Sequence, residues 1–303
     1  LEDTGALFAL QKNIHQYPHC WRCKKPVLFR ATEQWFCSVD AIKDQAIEAI
    51  KGVKWIPGWG EDRISSMVRD RNDWCISRQR RWGVPIPIFY CEDCGEPIIS
   101  HDTIEKIAQL FEKEGSVSWF KYEPEQIIGD LAVCPKCGCK KLRKEKDIMD
   151  VWFDSGSSYA YVLSKMLDGG DNFPADLYLE GNDQYRGWFQ SSMLTSVSTR
   201  GCAPYKTVLT HGMIIDLEGR KMSKSAGNGI DPADVIKQYG ADILRLWVSS
   251  VDYTSDARIS NEILKQMAEV YRKIRNTARI VIEISCETSH LYRPVLTILY
   301  NSF

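Results

Sequence analysis

The sequence has 303 residues, 44% of them hydrophobic and 26% charged, with a formal net charge of −1. That length holds two or three modest domains of an ordinary globular protein, and the near-neutral balance excludes a global positive field, so a nucleic-acid surface has to be local. No apolar run approaches the ~20 residues that span a bilayer, and residues 1–10 carry acids but no basic signal segment, so a cytoplasmic protein with no membrane partner is expected.

In chain order, residues 1–37 read as irregular and strand-rich, and the start at Leu1 rather than Met reads as part of a longer chain. Ser38 is placed to cap a short amphipathic helix with Ile42, Ala46, Ala49 and Ile50 on one side. Residues 51–90, dense in Trp, Arg and Pro, read as packed loops and short strands. Residues 91–139 form a small insertion with a cysteine pair at each end. Within it, Asp102 with Glu105 predicts a capping box before a helix carrying Ile104, Ile107, Leu110 and Phe111.

Residues 148–153 and 177–179 are strand candidates, the second running into Glu180-Gly181-Asn182-Asp183. Residues 184–199 have helical spacing at Phe189, Met193 and Val197 and close at Gly201. Residues 208–215 make a third strand, interrupted by His211-Gly212. Strand, helix, strand predicts a parallel βαβ unit with a right-handed crossover. Ligands in such sheets bind beyond the carboxyl ends of the strands, where Glu180, Asp183 and Gln184 cluster. Asp231-Pro232 opens a further helix that Gly240 ends. Ser260 caps a long amphipathic helix with Ile263, Met267, Val270, Ile274 and Val281 inward, and residues 286–303 show no clear period.

The most informative stretch is Gly219-Arg220-Lys221-Met222-Ser223-Lys224-Ser225-Ala226-Gly227-Asn228. Two lysines three apart between glycines, just after a strand, suit a ligand whose negative charge grows during reaction; a solvated basic turn is the plainer reading. The string K-M-S-K-S resembles the second ATP motif of class I aminoacyl-tRNA synthetases. The resemblance to the isoleucyl branch of that family extends over Tyr17-Pro18-His19-Cys20-Trp21-Arg22-Cys23 and over Asp73-Trp74-Cys75-Ile76-Ser77-Arg78-Gln79-Arg80 with Trp82-Gly83-Val84-Pro85-Ile86-Pro87. It continues through Asp147-Ile148-Met149-Asp150-Val151-Trp152-Phe153-Asp154-Ser155-Gly156 and Glu180-Gly181-Asn182-Asp183-Gln184-Tyr185-Arg186-Gly187-Trp188-Phe189, and fades after about Ile280.

Members of that family activate an amino acid with ATP and pass it to the 3′ end of its tRNA. The resemblance implies ATP with Mg²⁺, isoleucine and tRNA(Ile) as ligands. It implies that Lys221 and Lys224 hold the ATP phosphates, with Met222, Ser223 and Ser225 completing that loop. Glu180, Gly181, Asp183 and Gln184 would contact the aminoacyl-adenylate, and His211 and Gly212 would flank the nucleotide. The bland reading of His211 is a core histidine bonded to a backbone carbonyl. Trp152 and Trp188 would wall the isoleucine pocket; the competing reading is plain core packing.

Eleven cysteines without a secretory signal point to metal rather than disulfides. Cys91-x-x-Cys94 and Cys134-x-x-Cys137, each followed by glycine, fit a closed tetrahedral thiolate site for Zn²⁺, with Cys139 a substitute for Cys137. Cys20-x-x-Cys23 is half a site, its partner pair in the family lying upstream, so two free thiols or partial metal binding are expected. Cys37, Cys75, Cys202 and Cys286 read as buried or inert. Arg272, Lys273, Arg275 and Arg279 read as a solvated helix face. Arg78 and Arg81, grouped with Arg80 beside Trp82, are candidates for contact with the tRNA end.

The expected fold class is α/β: the C-terminal half of a Rossmann-like class I synthetase catalytic domain with a zinc-knuckle insertion and the start of an α-helical domain. Residues 1–50 would end an editing or connective insertion, 51–144 would be connective with the zinc insertion at about 91–139, and 145–258 the second half of the catalytic domain. Residues 259–303 would begin a helical anticodon-binding domain whose end is divergent or shifted in frame. The first ATP motif, H-x-G-H, does not occur: of the five histidines, His15, His19, His101, His211 and His290, no two stand three apart. The chain alone is therefore expected not to aminoacylate, and a separate N-terminal half is the partner it would need. The competing readings are a zinc-ribbon tRNA-binding module without catalysis, which has no use for a phosphate-handling loop, and a generic nucleotidyl transferase of the same fold class.

Overall fold

The computed structural model describes residues 1–20, 23–166, 172–222 and 227–288. The chain divides into two units, Leu1–Trp35 and the remainder from Phe36 on. The first unit is irregular, as expected, but not strand-rich: its described residues hold only the isolated bridge His19↔Pro26. Pro18 and Pro26 remove ladder donors there, and Phe8, Ile14 and Leu28 stand exposed.

The second unit opens with β1 (Phe36–Cys37) and then α1 (Lys43–Lys51), which buries Ala46 and Ile50 on the expected face. Ser38 does not cap it. The helix is entered through a 3-10 turn without a side-chain cap, and the Val39 N–H donates instead to Asp73 Oδ1 at 3.2 Å. Next come β2 (Lys54–Ile56) and α2 (Gly60–Arg69). The short strands expected over 51–90 are present, but α2 was not expected there, although Ile64 and Val68 repeat at the helical spacing and are fully buried. Strands β3 (Trp74–Cys75) and β4 (Ser77–Arg78) follow, β3 antiparallel to β1.

The insertion is β5 (Phe89–Cys91), β6 (Pro97–Ile98), α3 (His101–Glu114), α4 (Ser118–Lys121), α5 (Pro124–Ile128) and β7 (Leu142–Lys144), its strands ordered β6-β5-β7. It has its own core, in which the Phe89 and Trp119 rings lie 4.9 Å apart against Ile107 and Ile128. The capping box exists but belongs to Ser100 and Thr103, not Asp102 and Glu105. A serine fits the N-cap because its short hydroxyl reaches the N3 amide from extended backbone.

The chain returns through β8 (Ile148–Met149), antiparallel to β4, and α6 (Val151–Gly156). The strand expected over 148–153 thus stops after two residues, because the Asp150 carboxylate accepts the Trp152 N–H and caps a helix. After α7 (Ser158–Tyr161) come β9 (Tyr178–Gly181), α8 (Trp188–Arg200) and β10 (Thr207–His211). Strands β2, β10 and β9, in that order, form an all-parallel sheet. The predicted parallel βαβ unit is there, with Gly201 left-handed at φ 71° closing α8. Helix α8 is buried from Phe189 to Val197 on every side. Two of its hydroxyls bond back to distant carbonyls: Thr195 Oγ1 donates to Gly156 O at 2.9 Å and Ser196 Oγ to Cys202 O at 2.7 Å. Helix α1 packs into this same core with Val208 and Phe189, and the chain divides after Trp35.

The third strand ends at His211. β11 (Ile214–Ile215) pairs in parallel with β12 (Ala257–Arg258) in a separate sheet, after α9 (Pro232–Tyr239) and α10 (Ala241–Ser250). Asp231 caps α9 and Gly240 ends it, as expected. Ser260 caps α11 (Asn261–Thr288) through the Ile263 N–H. Its inward residues are Ile263, Leu264 and Met267, in a core with Val235 and Trp247. Val270, Ile274 and Val281 are instead 40%, 54% and 56% exposed, since no described element packs on that half of the helix. Arg272 and Arg279 pair with Glu269 and Glu283 on its solvated face. No helix among the described residues is long and apolar enough to cross a membrane.

Candidate functional site

Parallel pairing sets the carboxyl ends of β9 and β10 side by side, with Glu180 opposite Thr210 and Gly181 opposite His211. After Gly181 the chain makes a 3-10 turn over Asn182–Arg186 and enters α8. Glu180 and Asp183 are exposed at this end. A Cβ at Gly181 would lie 2.8 Å from Asp183 Oδ1 and 3.3 Å from Met213 Sδ, so glycine lets Asp183 fold back over the strand end. Gln184 accepts the Trp188 N–H at 3.0 Å and so satisfies an orphan donor of α8. His211 is half-buried, with Nδ1 2.7 Å from Gly212 O, so it does bond a backbone carbonyl without being a core residue. Gly212 donates to Tyr253 O, and a Cβ on it would stand 2.2 Å from Ser255 O. What Gly212 allows to approach closely is the backbone of residues 253–256.

Of the lysine loop, Lys221 and Met222 are described; Ser223, Lys224 and Ser225 lie outside the described residues. Lys221 forms an antiparallel bridge with Ile215, and the Met222 N–H donates to Ile214 O at 3.2 Å. Lys221 Nζ lies 3.8 Å from Asp183 Oδ2, both side chains being more than half exposed. Such an exposed pair contributes only ~0–1 kcal/mol. Its importance is positional: the first lysine of the loop stands over the carboxyl end of β9. Met222 turns its side chain into the apolar core of the last lobe, beside Ile230, Val235 and Trp247, rather than toward the strand ends.

Trp152, on α6, is 42% exposed, and a Cβ at Gly187 would come within 3.0 Å of its ring. The indole thus lies against the backbone just before Trp188. The Trp188 ring stacks on Tyr178 at 3.9 Å and 9°, and its N–H donates to Ser155 O at 3.0 Å. The two indoles are brought together by the crossing of α6 and α8, where Gly156 leaves no room for a Cβ against Ser191. Trp188 is largely engaged in packing; Trp152 presents the more open ring.

A cleft of about 910 Å³ separates α4 of the insertion from α6, lined by Arg80, Arg81, Trp82, Phe120, Trp152 and Asp154 among others. Trp82 is 95% exposed. Arg80 and Arg81 carry no ion pair among the described residues. Arg78 differs: its guanidinium pairs with Asp150 at 3.0 Å and donates to Cys75 O at 2.7 Å and Ser77 O at 2.8 Å. That engagement braces β4 to the cap of α6, with Arg78 still partly exposed beside the cleft. Asp154 was not singled out in the sequence, yet burial, and then the nearby Asp150, push its carboxyl up to about 6. Its signal was the i, i+4 spacing from Asp150 on a helix that the strand expectation hid.

In the insertion, the Sγ atoms of Cys91, Cys94, Cys134 and Cys137 all lie within 4.8 Å of one another. Cys91 to Cys137 is 3.5 Å and Cys94 to Cys134 is 3.6 Å. A tetrahedron of thiolates at ~2.3 Å from Zn²⁺ has sulfur–sulfur edges of ~3.8 Å, so the donor set fits that ion. Each pair forms a knuckle: Gly95 N–H donates to Cys91 O, Gly138 N–H to Cys134 O, and the glycines have φ 72° and 74°. The Cys94 amide, then that of Asp93, hold the Cys91 thiol down to about 6 against its burial. Cys139 stands outside this group of four; its carbonyl accepts the Cys134 N–H and its sulfur the Lys141 N–H. Cys20 repeats the knuckle turn, Lys24 N–H donating to Cys20 O at 2.8 Å with Lys24 at φ 60°.

A family model described as tRNA synthetases class I (I, L, M and V) matches residues 12–260. The isoleucine–tRNA ligase of Thermoanaerobacter sp. (strain X514) is 64% identical over 282 residues, 93% of this chain and 30% of that protein. Those of Caldicellulosiruptor bescii and Brevibacillus brevis are each 61% identical over the same shares. The chain thus spans 30% of the length of the curated relatives it matches. Among solved structures it resembles the LeuRS of Agrobacterium radiobacter K84 in ternary complex with tRNA and LeuAMS, with 22% identity, TM-score 0.50, and 70% of this chain and 29% of that one covered. It also resembles the methionyl-tRNA synthetase of Mycobacterium tuberculosis bound by methionyl-adenylate, with 19% identity, TM-score 0.52, and 82% and 39% covered. At such identities these two speak for the fold alone. The family match runs through the parallel sheet, the strand-end acids and the first lysine of the loop, and the chain belongs to the class I tRNA synthetases of the I, L, M and V group.

Proposed function

We propose that this chain is the part of an isoleucine–tRNA ligase that carries the second half of its nucleotide site. In that reaction the isoleucine carboxylate attacks the α-phosphorus of ATP and pyrophosphate leaves. A terminal hydroxyl of tRNA(Ile) then attacks the adenylate carbonyl and AMP leaves. The observation that carries the reading is the 3.8 Å approach of Lys221 to Asp183 over the end of β9, because it brings the lysine loop onto the ligand end of a parallel sheet.

Lys221 and Lys224 hold the leaving pyrophosphate's charge, with Ser223 and Ser225 in the same loop. Glu180, Gly181, Asp183 and Gln184 frame the adenylate, and His211 borders the nucleotide. Trp152 supplies the open aromatic wall for the isoleucine side chain and Trp188 backs it. Mg²⁺ supplies counter-charge for the triphosphate. Zn²⁺ at Cys91, Cys94, Cys134 and Cys137 supplies a closed structural crosslink for the insertion. Arg81, with Trp82, borders the cleft that takes the tRNA end. An N-terminal half bearing H-x-G-H, on the same polypeptide or another, completes the site, in a cytoplasmic enzyme.

A second reading, a zinc-bearing tRNA-binding module without catalysis, draws support from the fully exposed Trp82 beside unpaired Arg80 and Arg81. Tryptophan fluorescence with a non-hydrolysable isoleucyl-adenylate analogue separates the two. The ligase reading expects saturable quenching by the isoleucyl analogue, weaker binding of the valyl one, and loss in Trp152→Ala. No quenching, with tRNA still bound, would favour the module.

A further inference from the structure

The two legs of the lysine loop end on a single carboxylate. Asp216, just after β11, is 7% exposed. It accepts the Arg220 backbone N–H at 2.8 Å, Arg220 Nε at 2.9 Å and Asn228 Nδ2 at 2.9 Å. Arg220 stands immediately before Lys221, and Asn228 immediately after Gly227. The same Asn228 amide also reaches Lys221 O at 3.4 Å. The leading leg is itself a closed turn: Asp216 N–H donates to Arg220 O at 3.0 Å, Gly219 N–H donates to Asp216 O at 3.1 Å, and Gly219 has φ 79°.

This turn is closed by Asp216, Gly219 and Arg220. Asn228 comes from the far side of the loop, 12 residues along the chain from Asp216, and contributes nothing to the turn's own hydrogen bonds. Its contact therefore does something else: it closes the loop. The Asn228 amide, together with the amide and guanidinium of Arg220, holds the Asp216 carboxyl below the usual aspartate range, so the acceptor stays ionised wherever the protein is folded near neutrality.

We propose that Asp216 is a positioning residue for the nucleotide step: by gripping Asn228 while it holds Arg220, it ties the residues on either side of the lysine loop to one point and so sets where the loop stands relative to the strand ends. The inference rests on the nucleotide-site reading given above. Neither Asp216 nor Asn228 touches the reacting atoms; they act by restricting where the lysines can go. Tying the ends of so short a loop removes conformational freedom that phosphate binding would otherwise have to remove. A hydrogen bond to an ionised carboxylate is strong enough for its loss to change protease cleavage at the lysines about tenfold.

The test is trypsin cleavage of the full chain after Lys221 and Lys224, followed by mass spectrometry at a series of ATP concentrations. Wild type, Asn228→Ala and the exchange pair Asp216→Asn with Asn228→Asp are compared, with Tm measured on each. Asn228→Ala is expected to be cut about tenfold faster without ATP and to need about tenfold more ATP for half-protection, at a Tm within about 2 °C of wild type. The exchange pair, which restores an amide–carboxylate contact with the groups reversed, is expected to recover most of that protection. Asn228→Ala indistinguishable from wild type, or an exchange pair as loose as Asn228→Ala, would overturn the staple and leave the nucleotide reading standing. A wild-type loop that ATP does not protect at any concentration would overturn the nucleotide reading, and this inference with it.

Discussion

Arg78 and Asp150 meet at 3.0 Å between β4 and the first turn of α6, with the Asp150 side chain only 6% exposed. The same carboxylate accepts the Trp74 indole N–H at 2.9 Å and caps α6 through the Trp152 N–H. One acid thus orients the helix that carries both Trp152 and Asp154. Removing the guanidinium leaves a buried carboxylate short of a partner. Arg78→Ala should therefore lower stability by about 2 kcal/mol, less than a fully buried pair would lose because Arg78 is partly exposed. Denaturant midpoints check this. Arg81→Ala, whose side chain has no such engagement, should leave the midpoint alone and instead reduce the salt slope of tRNA binding.

Asp154 gives a pH signature. Its carboxyl in the folded protein is raised to about 6, so between the ordinary carboxylate value and pH 6 the folded chain holds a proton that the unfolded chain has released. Its contribution to stability is therefore largest at low pH and is lost as pH rises through that window. Asp154→Asn removes the penalty, so the Tm gain of the variant over wild type should be larger at pH 7 than at pH 4. An equal gain at both pH values would count against this.

The zinc assignment predicts about one equivalent of Zn²⁺ per chain by elemental analysis, released by strong chelators. Cys134→Ser should lose the metal and unfold the small core around Trp119, while Cys139→Ser should retain both. Tryptophan near-UV circular dichroism reports the core directly.

Gly212 separates packing from ligand approach. A methyl group there meets Ser255 O at 2.2 Å and Asp256 N at 2.5 Å, both backbone atoms that cannot swing aside. Gly212→Ala should destabilise by about 1–3 kcal/mol through overpacking. Unchanged stability with weakened nucleotide binding would instead restore the expectation that the glycine admits a base.

The elements best legible in the sequence were those with local chemistry. The Asp231-Pro232 cap, the Ser260 cap, the glycine close at Gly201 and the C-x-x-C knuckles all rest on hydrogen bonds made within a few residues. What failed depended on partners far along the chain. Residues 148–153 looked like a strand because Ile148, Met149, Val151 and Phe153 are apolar; Asp150, held by Arg78 and Trp74, ends the strand and starts a helix. Helix α2 was obscured by the aromatic and proline residues on either side of it. The outward half of α11 carries apolar residues at helical spacing, and periodicity alone cannot say whether a partner covers them. At the candidate site, the strand-end position brought out Glu180 and Asp183, and the family resemblance Lys221 and Trp152. The supporting carboxylates of Asp150, Asp154 and Asp216 escaped notice, because an isolated aspartate gives no sign of what it will bond.

The most direct measurement is isoleucine-dependent exchange of pyrophosphate into ATP, run on this chain alone and on the chain mixed with a separately made N-terminal piece bearing H-x-G-H. Exchange in the mixture only, and its loss in Lys221→Ala, is the expected result. Absence of exchange from a mixture in which both pieces are folded and associated would contradict the assignment of the nucleotide site.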